Sequence, residues 1–154
     1  MPDAANSQGN VWEIVSESED ATRELGRRIG ECLGDGAVVL LAGAMGAGKT
    51  MLAQGLCHGL GVEEWANSPT FTLINEYDGR VRVYHCDFYR LTDEAELSTL
   101  ALDEVLYGKG VALIEWPEIA ESWVPHGAVR VSLSREGPTR RRIRVSGVPR
   151  PGGV

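Results

Sequence analysis

The sequence has few cysteines and no long apolar segment. Its three cysteines are an odd number, and its first ten residues are polar, without the apolar core of a secretory signal peptide. No apolar run approaches the roughly 18 residues that span a bilayer. These absences argue against a disulfide-stabilised secreted domain and against a membrane-spanning protein. We therefore expect a cytoplasmic protein with no membrane partner.

The cysteines and histidines also lack the spacing of a metal site. Cys57 is followed by His58, and His85 is followed by Cys86. Neither pair has the C-x-x-C or H-x-x-x-H spacing that lets two ligands reach one tetrahedral ion. We therefore expect buried or incidental thiols rather than a zinc site.

Basic residues are scarce in most of the chain. Lys and Arg total 15 against 22 Asp and Glu, a formal charge of −7, which argues against a protein that mainly coats nucleic acid. The imbalance is uneven, because residues 130–154 hold seven Arg and one Glu whereas residues 1–129 are strongly acidic. The basic ending indicates either a contact with nucleic acid or an acidic partner, or a solvated edge strand.

The length of 154 residues fits one domain. We predict a disordered lead over residues 1–10, a single domain over 11–147 and a flexible tail over 148–154. Two unbroken apolar runs, at residues 37–42 and 111–114, are typical of strands that are buried on both faces of a parallel sheet.

Helices are predicted on both sides of the first apolar run. Ser16, with Glu19 three residues later, has the pattern of a capping box and predicts a helix that ends near Gly34. Leucines at every fourth position from Leu52 predict a second helix, and Gly61 is its expected C-terminal glycine.

The second half of the chain has both strand and helix patterns. Strands are predicted over residues 71–77 and 80–86, joined by a hairpin turn at Asp78-Gly79, and a helix is predicted over residues 93–107. Apolar residues alternate with polar ones from Val129 onward, which indicates antiparallel strands with one buried face.

A glycine-rich segment separates the first apolar run from the helix that follows. Residues 43–50, GAMGAGKT, match the phosphate-loop pattern G-x-x-x-x-G-K-[ST]. Backbone N–H groups of such a loop enclose phosphates, and the following helix directs its positive N-terminus at them. Lys49 is expected to reach the β- and γ-phosphates, and the Thr50 hydroxyl is expected to bind Mg²⁺. The other predicted nucleotide contacts in this loop are Met45, Gly46, Ala47 and Gly48.

A glycine-rich turn without a ligand is the alternative for this segment. The buried strand before it and the amphipathic helix after it favour a nucleotide triphosphate. The sequence has no N-K-x-D guanine signature, so ATP is favoured over GTP.

Two carboxylates follow predicted strands. Asp87 ends residues 81–87, and Glu115 directly follows the second apolar run. Ligands of open α/β sheets lie at the carboxyl ends of strands, so both side chains are expected to face the phosphates. Phosphoryl chemistry needs a carboxylate near the metal and a group that orients water. Either residue could instead be a helix cap or a surface charge. His85 offers a weak H-x-D pattern with Asp87, and a structural role is favoured for it.

A loop with Ser68, Pro69 and Thr70 lies between the phosphate-loop helix and the next strand. Many P-loop proteins have their first switch here, where Thr70 could meet the metal or the γ-phosphate. A proline turn with capping hydroxyls is the alternative. Trp116 and the proline after it could form a contact surface or simple packing.

Four segments in this order and spacing resemble one family: GAMGAGKT, SPTFTLINEY, YHCDFYRL and ALIEWPE. Over about residues 18–135 the chain resembles the bacterial tRNA threonylcarbamoyladenosine (t6A) biosynthesis ATPase, the TsaE family. The resemblance implies an α/β, P-loop NTPase-like fold. Its mixed sheet would have a parallel core flanked by antiparallel strands, with helices on both faces.

The resemblance also implies a function. The family supports a threonylcarbamoyl transferase (TsaD-type) and its dimerisation partner (TsaB-type), which install t6A at position 37 of tRNAs reading ANN codons. It implies ATP and Mg²⁺ as cofactors and an ATPase activity that is weak alone and depends on the partner proteins. Contact with tRNA would be mainly indirect, which fits the acidic body of the chain.

Residue roles follow from the matched motifs. The implied catalytic residues are Asp87, Glu115 and Thr70. The implied Mg²⁺ contacts are Thr50, Asp87 and Glu115. Trp116 matches a tryptophan beside the nucleotide, and Lys49 matches the phosphate-binding lysine.

The chain departs from the family pattern at two positions. The family often has an acidic residue where this chain has Ala44, and a second Thr or Ser where it has Met51. A missing hydroxyl at position 51 removes a possible phosphate contact of about 1–2 kcal/mol. Two other functions remain open: a small P-loop metabolite kinase, with Arg90 and residues 140–144 supplying charge, and a nucleotide-gated binding protein without turnover.

Overall fold

Seven strands form one sheet in the structure, a computed structural model that describes residues 11–64, 66 and 73–154. The strands are β1 (Trp12–Ser16), β2 (Val38–Ala42), β3 (Ile74–Asp78), β4 (Arg82–Asp87), β5 (Val111–Glu115), β6 (Val129–Arg135) and β7 (Arg141–Ser146). The helices are α1 (Glu19–Cys32), α2 (Lys49–Gly59) and α3 (Leu102–Tyr107), with 3₁₀ helices at Glu94–Leu100 and Pro117–Trp123.

The sheet has a parallel centre and antiparallel edges. Its strand order is β1-β7-β6-β2-β5-β4-β3. The four central strands, β6, β2, β5 and β4, run parallel to one another. β3 is antiparallel to β4 at one edge, and the β7–β1 pair is antiparallel to β6 at the other. This arrangement confirms the predicted mixed α/β sheet.

The unbroken apolar run at β2 is explained by a core on each face of the sheet. Val39 and Leu41 pack with α1 and α2, whereas Val38 and Leu40 pack with α3 and the two 3₁₀ helices. Both faces of a central parallel strand are covered, so neither set of alternating positions has to be polar. The helices therefore lie on both faces, as predicted.

The start of α1 corrects one prediction. Ser18, not Ser16, is the N-cap, and its hydroxyl oxygen accepts a 3.0 Å hydrogen bond from the backbone N–H of Ala21. Ser16 still belongs to β1 and pairs with Arg141 across the sheet. The strand extends to Ser16 because β7 continues to supply hydrogen-bonding partners there, which a local capping pattern does not reveal.

The predicted helix over residues 93–107 is divided into two pieces. The 3₁₀ helix Glu94–Leu100 has a capping box made by Asp93 and Glu96, and α3 follows it. Ala101 separates them with a φ of 52°, a left-handed conformation that interrupts a right-handed helix. Gly61, by contrast, ends α2 with a φ of 89°, as predicted.

Four glycines bring α1 against α2, the helix that follows the phosphate loop. Gly26 and Gly30 on α1 face Gly55 and Gly59 on α2. A Cβ atom added at Gly55 would lie 2.0 Å from the Arg23 carbonyl oxygen, and one at Gly59 would lie 2.2 Å from the Arg27 carbonyl oxygen. The backbones approach so closely that side chains cannot fit between them. The position of α2, and of the phosphate loop before it, is therefore fixed by its packing against α1.

The end of the chain, predicted as a flexible tail over residues 148–154, makes several contacts with the rest of the domain. Val148 is buried, and its carbonyl oxygen accepts a 2.9 Å hydrogen bond from Trp12 Nε1. Arg28 donates to the carbonyl of Gly152, and Val154 packs against the core. Although this segment is rich in Pro and Gly, these contacts hold it against β1 and α1. The predicted lead over residues 1–10 lies outside the described residues.

No helix among residues 11–64 and 73–154 combines the length and the apolar character needed to cross a membrane.

Candidate functional site

A cavity of about 280 Å³ lies where β2, β4 and β5 end. Most of the residues predicted from the sequence line it: Met45, Gly46, Gly48, Lys49, Thr50, Asp87, Glu115 and Trp116. Met51, Tyr89 and Arg141 complete the lining. Parallel strands point their carboxyl ends toward one edge of the sheet, so the topology places the loop and both carboxylates together.

Ala47 and Thr70 stand apart from this set. Ala47 is buried in the core, and its backbone N–H donates to the Ala44 carbonyl at 3.1 Å. The predicted contact of Ala47 with a nucleotide stays a prediction. Thr70, with Ser68 and Pro69, lies outside the described residues, and its switch-like role stays a prediction.

Two positions of the phosphate loop favour glycine, Gly43 by a close approach and a positive φ, and Gly48 by a positive φ alone. Gly43 has a φ of 153°, and a Cβ atom there would lie 2.6 Å from the Leu133 carbonyl oxygen. Gly48 has a φ of 106° and precedes α2, whose first turn has no capping side chain. The N-terminal N–H groups of a helix without a cap are suited to an anion. The loop geometry thus favours a phosphate at this position.

Lys49 is a buried cation at the start of α2. Its side chain is 6% exposed, and its Nζ donates a 2.7 Å hydrogen bond to the Gly43 carbonyl oxygen. The same Nζ lies 3.4 Å from the centroid of the Trp116 ring. Burial lowers the pKa of Lys49, while the charges of Glu115 and Asp87 act in the opposite direction. The ammonium group is held at the loop beside the two carboxylates.

Asp87 and Glu115 are cross-strand neighbours. They are paired in the register of β4 and β5, so both side chains leave the same face of the sheet. Asp87 Oδ1 accepts a 3.0 Å hydrogen bond from the backbone N–H of Tyr89. Burial raises the pKa of Asp87, and the nearby charge of Glu115 raises it further. Glu115 is buried and Asp87 is half-buried, which argues against a surface charge, whereas the bond from Tyr89 gives Asp87 the local contact of a capping residue, the other alternative.

His85 contacts the second of these carboxylates. His85 Nε2 lies 2.6 Å from Glu115 Oε2, and the two side chains are 1% and 4% exposed. The imidazole does not line the cavity. This placement agrees with the structural role favoured for His85, and it identifies a partner that the sequence did not indicate.

Trp116 forms one wall of the cavity. It has a φ of 54° and precedes the 3₁₀ helix Pro117–Trp123. Its ring lies 4.8 Å from the ring of Tyr89, centroid to centroid, with an interplanar angle of 48°. Tyr89 is 54% exposed, so the aromatic pair extends from the buried Lys49 to the surface. Of the two alternatives for Trp116, packing within the site is what the geometry favours.

Arg141 is a site residue that the sequence indicated only as part of the basic ending. The alternation of β7 places it on the same face as Ile143, toward the phosphate loop. Its Nε is buried and has no hydrogen-bond partner within the described parts of the chain. An unpaired buried donor is costly, so a cavity beside it is suited to an anionic ligand. The alternation of a strand predicts that Arg141 and Arg142 lie on opposite faces, but it does not predict that Arg141 faces the phosphate loop.

The rest of the basic ending has other partners. Arg142 pairs with Glu136, and Arg140 lies within 4 Å of Glu17 and Glu136. Arg144 is exposed on the side of β7 that Arg142 also occupies. This side of β7 is partly exposed, but β7 is not the edge strand of the predicted alternative, because β1 pairs with its outer edge. A contact of these arginines with a partner stays a prediction.

Within the described ranges, no group of three or more His, Cys, Asp or Glu side chains could hold a metal by itself. Mg²⁺ is usually bound by one or two carboxylates together with substrate phosphates. Asp87, Glu115 and the Thr50 hydroxyl line one cavity and fit that donor set.

Comparisons with known proteins agree with the fold and the motifs. The family model described as "Threonylcarbamoyl adenosine biosynthesis protein TsaE" matches residues 16–143. The chain is 42% identical to the tRNA threonylcarbamoyladenosine biosynthesis protein TsaE of Treponema pallidum over 132 residues, which cover 86% of this chain and 98% of that one. It is 38% identical to the protein of the same description from Bacillus subtilis over 138 residues, 89% of this chain and 85% of that one.

A solved structure is also similar. The crystal structure of Bacillus subtilis YdiB superposes with a TM-score of 0.73 at 29% sequence identity, and the match covers 88% of this chain and 84% of that one. The matched family region begins near the end of β1 and ends in β7, so it contains every described residue of the cavity. The chain belongs to the TsaE family.

Proposed function

We propose that this protein is an ATPase that supports threonylcarbamoyl transfer in t6A biosynthesis. The observation that carries the proposal is the convergence of a phosphate loop, a buried lysine and two carboxylates on one cavity in a chain of the TsaE family. The names of its relatives specify t6A biosynthesis. The cavity supplies the chemistry by which such a protein would bind and hydrolyse ATP.

The residues fit a nucleotide triphosphate bound with Mg²⁺. Gly43 and Gly48 have the positive φ values that favour glycine in a phosphate loop, and Arg141 presents a buried donor without a partner among the described residues. Bound with ATP, Mg²⁺ would neutralise charge that develops on the phosphates. Thr50 and Glu115 would hold it, and Asp87 would complete the carboxylate side of the site.

The protein's own groups divide the work of hydrolysis. Lys49 would exchange its hydrogen bond to the Gly43 carbonyl oxygen for one to a phosphate oxygen, because a charged phosphate is the stronger acceptor for an ammonium group. Asp87, whose pKa is raised mainly by burial, is suited to accept a hydrogen bond from the attacking water. Trp116 and Tyr89 would limit the access of other water. Such a site positions reactants rather than forming covalent intermediates.

The partners are proposed from the family. A TsaD-type transferase and its TsaB-type dimerisation partner would perform the transfer and contact the tRNA, and this chain would couple its ATP cycle to their repeated turnover. The formal charge of −7 is consistent with a mainly indirect contact with tRNA.

Phosphate release tests the proposal. The purified protein is incubated with Mg²⁺ and ATP, with and without a TsaD–TsaB pair, and free phosphate is followed over time. Slow release alone and faster release with the pair are expected. ADP formation that requires an added metabolite and gives no free phosphate would indicate a kinase and contradict the proposal. Nucleotide binding with no turnover under either condition would also contradict it.

A further inference from the structure

The buried contact between His85 and Glu115 lies beneath the cavity rather than in it. β4 and β5 pair in register, and on both strands the residues of this face alternate with residues that pack on the opposite face. His85 is therefore enclosed beside Glu115, under the phosphate loop and its helix. It cannot contact a nucleotide directly, so any influence on the site must pass through Glu115.

The hydrogen bonding of the imidazole assigns its proton. Nε2 lies 2.6 Å from Glu115 Oε2, and Nδ1 is buried with no hydrogen-bond partner in the described ranges. A proton on Nδ1 would leave a buried donor unpaired and would require Glu115 to donate instead. A proton on Nε2 satisfies the short contact and leaves at Nδ1 only an unpaired acceptor. The neutral tautomer with Nε2–H, donating to an ionised Glu115, accounts for both atoms.

We propose that His85 is a positioning residue that fixes the Glu115 carboxylate for Mg²⁺·ATP. The bond from Nε2–H engages Oε2 and restrains the rotation of the side chain, so the carboxylate keeps one orientation toward the cavity. Hydrogen bonds to ligating carboxylates hold metal ligands in place, and their loss typically lowers metal affinity or activity 10- to 100-fold. This inference rests on the proposed role of Glu115 at the metal.

Two substitutions separate positioning from simple packing. His85→Gln retains an N–H donor near the place of Nε2, whereas His85→Leu fills similar space without a donor. His126→Leu is the matched control, because His126 is exposed. For each protein, the affinity for a fluorescent ATP analogue is measured without Mg²⁺ and across a Mg²⁺ titration. Thermal unfolding is recorded in parallel to establish that each variant is folded.

The expected result is specific to the metal. In His85→Leu, the Mg²⁺ concentration that gives half of the Mg²⁺-dependent gain in affinity for the ATP analogue should rise about 10- to 100-fold. Its affinity for the analogue without Mg²⁺ should stay within about twofold of that of the unmodified protein. His85→Gln should recover most of the Mg²⁺ response, and His126→Leu should match the unmodified protein. Equal Mg²⁺ responses of His85→Leu and the unmodified protein would overturn the inference. So would equal losses in His85→Leu and His85→Gln.

A spectroscopic measurement on the unmodified protein does not depend on any variant folding. The chain has three histidines, so ¹⁵N NMR can assign the ring nitrogens of His85. A protonated Nε2 and an unprotonated Nδ1 are expected, and a proton on Nδ1 would contradict the positioning bond. If the unmodified protein shows no Mg²⁺-dependent binding of ATP, the proposed function fails instead. Normal binding with an unaffected His85→Leu variant refutes only the positioning role.

Discussion

The ammonium group of Lys49 lies 3.4 Å from the centroid of the Trp116 ring, at the junction of the phosphate loop and the end of β5. A cation over an aromatic face at this distance is stabilised by the ring, by about 0.5–2 kcal/mol. The contact connects the loop that would bind phosphate with the strand end that carries Glu115. It also makes Lys49 the residue whose removal should most directly weaken nucleotide binding.

We expect Lys49→Met to lower ATP affinity about 10- to 150-fold. A hydrogen bond with a charged partner contributes about 1.5–3 kcal/mol, and methionine fills similar volume without donating. Isothermal titration calorimetry measures the loss. The chain's other lysine, Lys109, is exposed, so Lys109→Met provides the control. Equal affinities of the two variants would contradict the assigned role of Lys49.

Arg141→Met should weaken ATP binding about 10-fold or more. The Nε of Arg141 is buried beside the cavity without a partner among the described residues, and a bound phosphate would supply one. Arg144→Met, on the opposite side of β7, is the matched control and should bind ATP normally. The same titration compares them, and a larger loss in Arg144→Met would show that the basic ending acts through its solvated side.

Gly55→Ala should lower the free energy of unfolding by about 1–3 kcal/mol or more. The added methyl group would lie 2.0 Å from the Arg23 carbonyl oxygen, so α1 and α2 would have to separate. Chemical denaturation measures this loss. Gly34→Ala is the control, since a Cβ atom there meets nothing within 4 Å. Comparable stabilities of the two variants would mean that the close helix contact does not stabilise the protein.

Only one of the three thiols should react rapidly in the folded protein. Burial raises the pKa of Cys57 and Cys86 to about 12, whereas Cys32 is exposed. Alkylation requires the thiolate, so a thiol reagent at pH 8 should modify Cys32 first and the other two only after unfolding. Mass spectrometry of a time course checks this order. Rapid labelling of Cys86 would contradict the burial of β4.

The raised pKa values of Cys57 and Cys86 also predict how the free energy of unfolding changes with pH. An unfolded cysteine titrates near pH 8.5, so above that pH the unfolded chain releases protons that folded Cys57 and Cys86 retain. The contribution of the two thiols to the free energy of unfolding should therefore fall as pH rises from about 8.5 toward 12. Replacement of both by serine should reduce this slope in denaturation curves recorded at pH 8 and pH 10.

Much of the site could be predicted because its signals are local. The phosphate loop is one continuous motif between a buried strand and a helix, and Asp87 and Glu115 each end a short apolar strand. General topology then places strand ends at one edge of the sheet. The distribution of apolar runs likewise indicated the parallel centre of the fold.

The remaining features depend on contacts between distant parts of the chain. Arg141 reaches the site because β7 lies beside β6 and directs that residue toward the phosphate loop. His85 has a partner thirty residues away, through the register of β4 with β5. The N-cap of α1 is Ser18 rather than the predicted Ser16, because β1 pairs with β7 as far as Ser16. Sequence periodicity carries no information on such pairings.

The proposed function requires that the cavity containing Glu115 sustains t6A formation. Glu115→Gln keeps the size of the side chain and removes its charge, so binding of Mg²⁺·ATP should fail while the fold is retained. The exposed Glu104, which does not line the cavity, provides the matched control, Glu104→Gln. In cells that depend on this protein, the t6A content of isolated tRNA is measured by mass spectrometry after each variant replaces the original. Loss of t6A with Glu115→Gln and normal t6A with Glu104→Gln are predicted, and normal t6A with Glu115→Gln would contradict the proposed function.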